Sequence, residues 1–252
     1  MILLQVIELS VGYQLPLFSG LNLSLRRGEI TCLIGRNGAG KSTLIRTFSG
    51  MQKSLGGKIL LENKEMGELS EKEISKRLSV VLTHPVKAPF MTVFDLVAFG
   101  RYPYLGGQAK LSKQDNEIID QAIADVGIES LRDRYLTNLS DGERQKSALA
   151  RSLAQQTFLI LLDEPAAFLD FPSKIELMRL LKNLARNFSK SILLSTHDIE
   201  MAVALADHIW LIDQNRNIVT GNPNNLIENE TIPKTFNIPA SFFMNGKQRY
   251  EF

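Results

Sequence analysis

The chain has very few cysteines and no long apolar runs. Cys32 is the single cysteine among 252 residues, so an internal disulfide is impossible. It lies in the apolar stretch 30–34, where a small core position is the expected environment. One cysteine is compatible with a reducing compartment but does not prove one.

The chain also lacks a charge excess, a leader-like start and a candidate membrane span. Its 29 basic residues nearly balance its 27 acidic residues, for a net charge of +2. Composition therefore does not argue for binding nucleic acid or an anionic membrane. Residues 1–8 include an acid and no basic residue, unlike a secretory leader. No apolar run approaches the roughly 18 residues that span a bilayer. We expect a soluble protein that reaches a membrane only through a partner.

Short apolar runs alternate with longer amphipathic ones, which predicts an α/β fold. The predicted strands are 3–9, 21–26, 30–34, 58–62, 158–162 and 191–195, followed by a hairpin of 208–213 and 217–220. A helix is predicted from Lys41 to about Gly50. Apolar residues recur at helical spacing within 92–156, which predicts a helical insertion between two core strands.

The strongest motif is a P-loop directly after the apolar run 30–34. It comprises Gly35, Arg36, Asn37, Gly38, Ala39, Gly40, Lys41 and Ser42, with Thr43 next. Its glycines let backbone N–H groups converge on phosphate oxygens. Lys41 is placed to reach the β- and γ-phosphates of ATP, and the Ser42 hydroxyl is placed to ligate Mg²⁺.

Polar residues follow two further apolar strands. Asp163 and Glu164 end the run 158–162, and His197 comes just after 191–195. Such strand ends meet at the ligand-binding edge of a parallel sheet. We expect Asp163 to join the Mg²⁺ shell, Glu164 to polarise the attacking water, and His197 to hydrogen-bond the γ-phosphate.

The segment 139–145, Leu-Ser-Asp-Gly-Glu-Arg-Gln, resembles the LSGGQ signature of ABC transporter nucleotide-binding subunits. Together with the P-loop, the Asp-Glu pair and the histidine, the resemblance covers nearly the whole chain. It implies an ABC-type P-loop NTPase core with an antiparallel β subdomain and an inserted helical subdomain. The implied ATPase domain is 1–237, with the helical subdomain at about 92–156 and a tail at 238–252. The signature is expected to precede a helix from Lys146 to Gln155.

The resemblance also implies roles for single residues. Tyr13 corresponds to the aromatic residue that stacks on adenine, and Asp170 to an aspartate at the dimer interface. Ser140 and Gly142 would contact the γ-phosphate of ATP held by a second subunit. The active unit would then be a head-to-tail homodimer with two composite sites.

Three positions depart from the family pattern. Thr83 or His84 stands where a glutamine usually ligates Mg²⁺, and Thr83 is shorter than that glutamine. Asp141 replaces a signature glycine, so its charge should point away or pair with Arg144 or Lys146. Glu143 replaces the signature glutamine.

The string Gly-Arg-Tyr-Pro at 100–103 resembles ATPases of iron-siderophore, haem and cobalamin importers. Tyr102 and Tyr104 either dock a membrane permease or pack the helical subdomain. The implied function is a cytoplasmic ATPase subunit, peripheral on the inner face of the cell membrane. Its implied partners are permease subunits and, indirectly, a substrate-binding protein.

Other classes of ABC-type ATPase differ in length and domain content. A soluble ATPase of iron–sulfur cluster assembly fits the length and is the alternative. Residues 92–156 leave no room for the long coiled-coil arms of a chromosome-maintenance ATPase. A translation-type ABC protein would carry two such domains, and this chain has one. No nucleic-acid partner is expected.

Overall fold

A computed structural model describes residues 1–83, 88–106, 110–239 and 243. Within these residues the strands are β1 (Ile2–Gly12), β2 (Pro16–Arg26), β3 (Ile30–Ile34), β4 (Gly56–Leu61), β5 (Lys64–Glu65), β6 (Leu78–Val81), β7 (Leu159–Asp163), β8 (Ser191–Thr196), β9 (His208–Ile212) and β10 (Ile218–Gly221). The α-helices are α1 (Lys41–Phe48), α2 (Glu71–Ser75), α3 (Val93–Ala98), α4 (Lys113–Asp125), α5 (Asp141–Ala154), α6 (Phe171–Asn187), α7 (Ile199–Leu205), α8 (Pro223–Glu228) and α9 (Thr231–Phe236). Short 3-10 turns cover Met66–Glu68, Phe99–Tyr104, Glu129–Leu131 and Leu136–Asn138.

The central sheet has six strands in the order β10-β9-β3-β8-β7-β6. All neighbours pair in parallel except β10, which runs antiparallel to β9. Every residue of β3, β7 and β8 is buried, which is why these strands read as continuous apolar runs. The segments that follow β3, β6, β7 and β8 therefore lie at one edge of the sheet.

A second, antiparallel sheet has the order β2-β1-β4-β5. Its inward side chains share a buried cluster with α1 and with one face of the central sheet. Phe48 of α1 is fully buried there and meets Trp210 edge-on, with 6.0 Å between the ring centroids. This packing holds α1, and hence the P-loop before it, between the two sheets.

The helical insertion between β6 and β7 is confirmed, and it includes α3, α4 and α5. Each of these helices begins with a capping box, in which a serine or threonine and an acid three residues later exchange hydrogen bonds. Gly100 approaches α5 so closely that a Cβ would lie 2.4 Å from the Arg151 carbonyl oxygen. A glycine is therefore required at the first position of the Gly-Arg-Tyr-Pro string.

Several predicted boundaries need correction. The strand predicted at 21–26 begins at Pro16, and the one predicted at 3–9 covers Ile2–Gly12. The helix after the P-loop ends at Phe48 instead of Gly50. The signature helix begins at Asp141 instead of Lys146, because Ser140 caps it and the signature residues form its first turn. Of the predicted tail, only 238, 239 and 243 are among the described residues. No helix in the described part of the chain is both long and apolar enough to cross a membrane.

Candidate nucleotide-binding and hydrolysis site

The P-loop connects β3 to α1 through two glycines with positive φ. Gly38 has φ +77° and Gly40 has φ +105°. A Cβ on Gly40 would lie 2.6 Å from Cε2 of Phe18, so the loop follows a path that only glycine permits. No side chain caps α1, and its first turn contains no acid. The N–H groups that open this helix are therefore placed to receive an anion.

Lys41 is almost fully buried, with 6% of its side chain exposed. Its ammonium group donates to the carbonyl oxygens of Gly35 at 2.9 Å and Arg36 at 3.4 Å. It also lies 3.1 Å from Oε1 of Glu164. An ammonium group held this way can exchange these oxygens for the oxygens of a phosphate.

Asp163 ends β7 and is 3% exposed. Its Oδ1 accepts hydrogen bonds from the hydroxyls of Ser42 at 3.0 Å and Ser195 at 2.7 Å. The structure thus brings together Ser42 and Asp163, two of the residues predicted to hold Mg²⁺. Ser195 was missed at the sequence level, although a small polar residue near the end of an otherwise apolar strand was a usable signal.

Glu164 follows Asp163 directly and adopts φ +48°. Its carboxylate lies between two cationic or polar groups, Lys41 on one side and His197 on the other. Nδ1 of His197 is 2.9 Å from Oε2 of Glu164. Glu164, the predicted base, and His197, the predicted contact of the γ-phosphate, are therefore direct neighbours.

Thr83 lies at the same edge, just after β6. Its hydroxyl donates to the backbone carbonyl of Asp163 at 2.8 Å. The contact involves the backbone of the predicted metal ligand, and a direct role of Thr83 in binding Mg²⁺ stays a prediction. His84, the alternative to Thr83, lies outside the described residues.

A cavity of about 650 Å³ opens above this cluster. It is lined by Tyr13, Leu17, Asn37, Gly38, Gly40, Lys41, Ser42, Thr43, Arg46, Leu82, Thr83, Asp163, Glu164, Ala167 and His197. Tyr13 lies at the rim of the cavity and is 63% exposed, so its ring is accessible for stacking. Stacking of adenine on Tyr13 stays a prediction.

The signature residues are absent from the described lining of this cavity. Ser140 is exposed and caps α5: its hydroxyl accepts from the Glu143 N–H at 3.3 Å, and its own N–H donates to Oε2 of Glu143 at 2.7 Å. The hydrogen bond from the Ser140 N–H holds the pKa of Glu143 below its usual value. Glu143, in place of the signature glutamine, thus completes a capping box.

Asp141, which stands in place of a signature glycine, has a charged partner in its own helix. Asp141 lies 3.5 Å from Arg144, whereas Lys146 pairs with Glu176 at 2.8 Å, so Arg144 is the neutralising partner. A Cβ on Gly142 would lie 3.3 Å from the Ser173 hydroxyl in the first turn of α6.

Asp170 caps the same turn of α6, where its side chain accepts from the Ser173 N–H at 3.0 Å. The signature loop and Asp170 therefore lie near each other on one surface. Contacts of these residues across a dimer interface stay a prediction.

The two tyrosines of the Gly-Arg-Tyr-Pro-Tyr segment behave differently. Tyr104 packs, because its hydroxyl donates to the Gln155 carbonyl at 2.9 Å and its ring lies 4.1 Å from the Arg101 guanidinium. Tyr102 is 68% exposed. Arg101, which sequence reasoning did not single out, is buried and bonds Asp115 and the carbonyl oxygen of Ala154. It thereby ties this segment to the last turn of α5.

A P-loop at one sheet edge, paired with carboxylates at the end of β7, defines a P-loop nucleoside triphosphatase. The family model of the ABC transporter matches residues 18–167, more than half of the chain. The chain belongs to the ABC transporter family, as its ATP-binding, ATP-hydrolysing subunit.

Two curated relatives match over most of their length. One, from Bacillus subtilis, is named a probable siderophore transport system ATP-binding protein; identity is 37% over 91% of this chain and 84% of the relative. The other, also from Bacillus subtilis, is an iron(3+)-hydroxamate import ATP-binding protein; identity is 32% over 92% of this chain and 87% of the relative.

A solved structure described as a metal-chelate type ABC transporter in an inward-facing conformation matches as well. The TM-score is 0.83 at 29% identity, covering 95% of this chain and 90% of that one. The match confirms the predicted fold, with its β subdomain and its helical insertion.

Proposed function

We propose that this chain hydrolyses ATP with Mg²⁺ to energise a membrane importer of iron–siderophore complexes or related metal chelates. The observation that carries the proposal is the pairing of the Glu164 carboxylate with Lys41 at 3.1 Å and with His197 at 2.9 Å. A carboxylate, a buried cation and an imidazole meet there at the opening of a phosphate-binding loop.

The donor set fits Mg²⁺. The ion prefers hard oxygen ligands and takes only one or two from the protein when phosphates supply others. The Ser42 hydroxyl and the Asp163 carboxylate, 3.0 Å apart, are such a pair. Among the described residues no group of three His, Cys, Asp or Glu could hold a metal without a nucleotide. Bound there, Mg²⁺ would offset the negative charge of the phosphates.

The chain's own residues account for the chemical step. Glu164 takes a proton from a water molecule while the water oxygen attacks the γ-phosphorus. The bond between the γ-phosphorus and the bridging oxygen then breaks, and its electron pair leaves with ADP. Lys41 turns from the loop carbonyls and Glu164 to the phosphates. His197, 52% exposed, can contact the γ-phosphate from the other side of Glu164.

Ser140 supports a composite site in a homodimer. It opens a helix of 14 residues, where N–H groups and the helix dipole favour an anion. Yet it does not line the cavity around its own P-loop in the described structure. We propose that Ser140 and Gly142 close on ATP held by a second copy, with Asp170 beside the interface.

An apolar groove on the helical subdomain supports a permease partner. It has a volume of about 720 Å³ and lies between the segment before α3 and the 3-10 turn after it. Phe90 is 89% exposed, Tyr102 is 68% exposed and Phe99 is 54% exposed along it. Exposed aromatic clusters of this kind suit a docking segment of a membrane subunit. Such docking would hold the subunit at the inner face of the membrane.

The relatives favour chelated iron as the solute of that importer, because their names specify siderophore and iron(3+)-hydroxamate transport. A substrate-binding protein would deliver the solute to the permease, and this chain would not contact it. The alternative role in iron–sulfur cluster assembly has no support among these relatives.

The proposal is tested by co-expression with the candidate permease subunits and reconstitution into vesicles. We expect the chain to copurify with them and to drive uptake of a ferric siderophore when ATP is present on its side. Haem and cobalamin serve as comparison solutes, and the Glu164→Gln complex as the inactive control. ATP hydrolysis by a chain that binds no integral membrane subunit would contradict the proposal and favour a soluble role.

A further inference from the structure

The peptide bond between Asp163 and Glu164 is held at both of its polar atoms. Its carbonyl oxygen, on Asp163, accepts from the Thr83 hydroxyl at 2.8 Å. Its N–H, on Glu164, donates to the Ser195 hydroxyl at 2.9 Å. The two hydroxyls come from different segments, one following β6 and one within β8, which flank β7 on its two sides.

This peptide joins two functional carboxylates in a strained stretch of backbone. Glu164 has φ +48°, a left-handed conformation that costs a residue with a Cβ about 1 kcal/mol or more. Such a conformation persists only where its surroundings hold it. Rotation of the peptide plane would change φ of Glu164 and ψ of Asp163, and it would break both of these hydrogen bonds.

Ser195 adds a further contact, because it donates to Oδ1 of Asp163 at 2.7 Å. It is completely buried and directly opposite Asp163 in the parallel pairing of β7 and β8. Its hydroxyl therefore fixes the carboxylate of one residue and the backbone of the next. Thr83 has no such second bond among the described contacts. Removing its hydroxyl therefore tests the contact with the Asp163–Glu164 peptide alone.

We propose that Thr83 and Ser195 form a peptide clamp that positions Glu164 for hydrolysis. This inference rests on the proposed role of Glu164 as the base. Thr83 then acts on catalysis through the backbone, as a positioning residue, without itself needing to ligate the metal. Because Thr83 follows β6 directly, a displacement of Thr83 would change the position of the Asp163–Glu164 peptide and thereby that of Glu164.

Thr83→Val removes the hydroxyl and keeps the shape of the side chain. We expect kcat for ATP in the permease complex to fall roughly tenfold, since small displacements of a catalytic group are costly in rate. ATP affinity and the melting temperature of the full chain should stay at the wild-type values. Thr83→Ser, which restores the hydroxyl, should recover most of kcat.

Thr235→Val is the matched control. The Thr235 hydroxyl also donates to a backbone carbonyl at 2.8 Å, that of Thr231 within α9. The backbone carbonyl of Thr235 accepts from Arg36 at 3.5 Å, and the substitution keeps this contact because it leaves the backbone unchanged. It should leave kcat unchanged. A wild-type kcat in Thr83→Val, or a loss in Thr83→Ser equal to that in Thr83→Val, would overturn the inference while leaving the proposed function intact. Absence of ATP hydrolysis by the wild-type complex would overturn both.

Ser195→Ala gives a second, independent reading. It should lower kcat more than Thr83→Val and raise the Mg²⁺ concentration needed for half-maximal rate, because the Asp163 side chain also loses a donor. Since both hydroxyls hold one peptide, the double variant should lose less than the product of the two single losses. Fully multiplicative losses would show that the two residues act separately and would overturn the joint clamp.

Discussion

The catalytic edge of the sheet, which carries Lys41, Asp163, Glu164 and Ser195, and the start of the signature helix α5 are the two regions proposed to bind phosphate, and they differ in burial. At the catalytic edge, Lys41, Asp163 and Ser195 are at most 6% exposed. Their polar atoms bond one another and the neighbouring backbone. At the start of α5, Ser140 and Asp141 are exposed and bond only within their own helix among the described contacts.

The difference indicates that the two proposed parts of the site are organised to different degrees within a single chain. The catalytic edge is pre-organised, since desolvated groups in fixed positions need little rearrangement to stabilise a charged transition state. The signature end is the capped first turn of α5, and a helix N-terminus of this kind favours an anion. If the composite site is formed as proposed, substitutions at the two regions should affect different quantities.

The largest effect is expected from Glu164→Gln, which keeps the size of the side chain and removes its basicity. Turnover should fall by roughly 10²–10⁴-fold, the usual contribution of a positioned general base. ATP binding should persist, because Lys41 and the loop N–H groups are untouched. Phosphate release and equilibrium ATP titration measure the two quantities. Near-normal hydrolysis would remove Glu164 from the role of base.

Lys41→Ala should act on binding. The charge-assisted hydrogen bonds of its ammonium group are lost, and ATP affinity should weaken by roughly a hundredfold in titration calorimetry. Lys58→Ala is the control, since Lys58 forms an exposed ion pair with Glu65 at 2.8 Å and lies outside the P-loop. Equal affinities for wild type and Lys41→Ala would show that the buried lysine does not contact nucleotide.

The sequence predicted the catalytic edge better than the contacts that support it. The P-loop and the Asp-Glu pair are contiguous motifs next to apolar runs, so local pattern was sufficient for both. Ser195 was missed because its role depends on which residue of β7 it faces, and strand register is a long-range property. The start of α5 was placed five residues late, because the capping role of Ser140 is visible only when Glu143 is read as its partner.

Ser140→Ala should distinguish the contributions of the two regions, because it is expected to change turnover and leave ATP affinity unchanged. The loop that binds ATP in the same chain is untouched, so affinity of the isolated subunit should be unchanged. Turnover of the assembled complex should fall about tenfold, because the proposed hydrogen bond from Ser140 to phosphate across the dimer interface would be lost. Ser70→Ala is the control: Ser70 and Glu73 form the same type of capping box at α2. A similar loss of turnover in both variants would reduce Ser140 to a helix cap.

The smallest effect is expected from Glu143→Gln, which inserts the usual signature residue. Glutamine can still accept from the Ser140 N–H, but it loses the favourable charge at the helix N-terminus. That charge should be worth about 1–3 °C in melting temperature at pH 7. Glu117→Gln is the control, because it removes an exposed carboxylate of α4 that lies 3.9 Å from Lys113, and its effect should be close to zero.

The pH dependence of this difference has a definite sign. The pKa of Glu143 is lowered in the folded protein, chiefly by the hydrogen bond from the Ser140 N–H, from the ordinary value of 4.5. The folded state therefore gains stability that is fully present above 4.5 and is lost as the pH falls through the lowered folded pKa. Thermal unfolding of both proteins across this range should converge at acid pH. A difference that persists after Glu143 is protonated would mean that shape, and not charge, distinguishes the two residues at the signature.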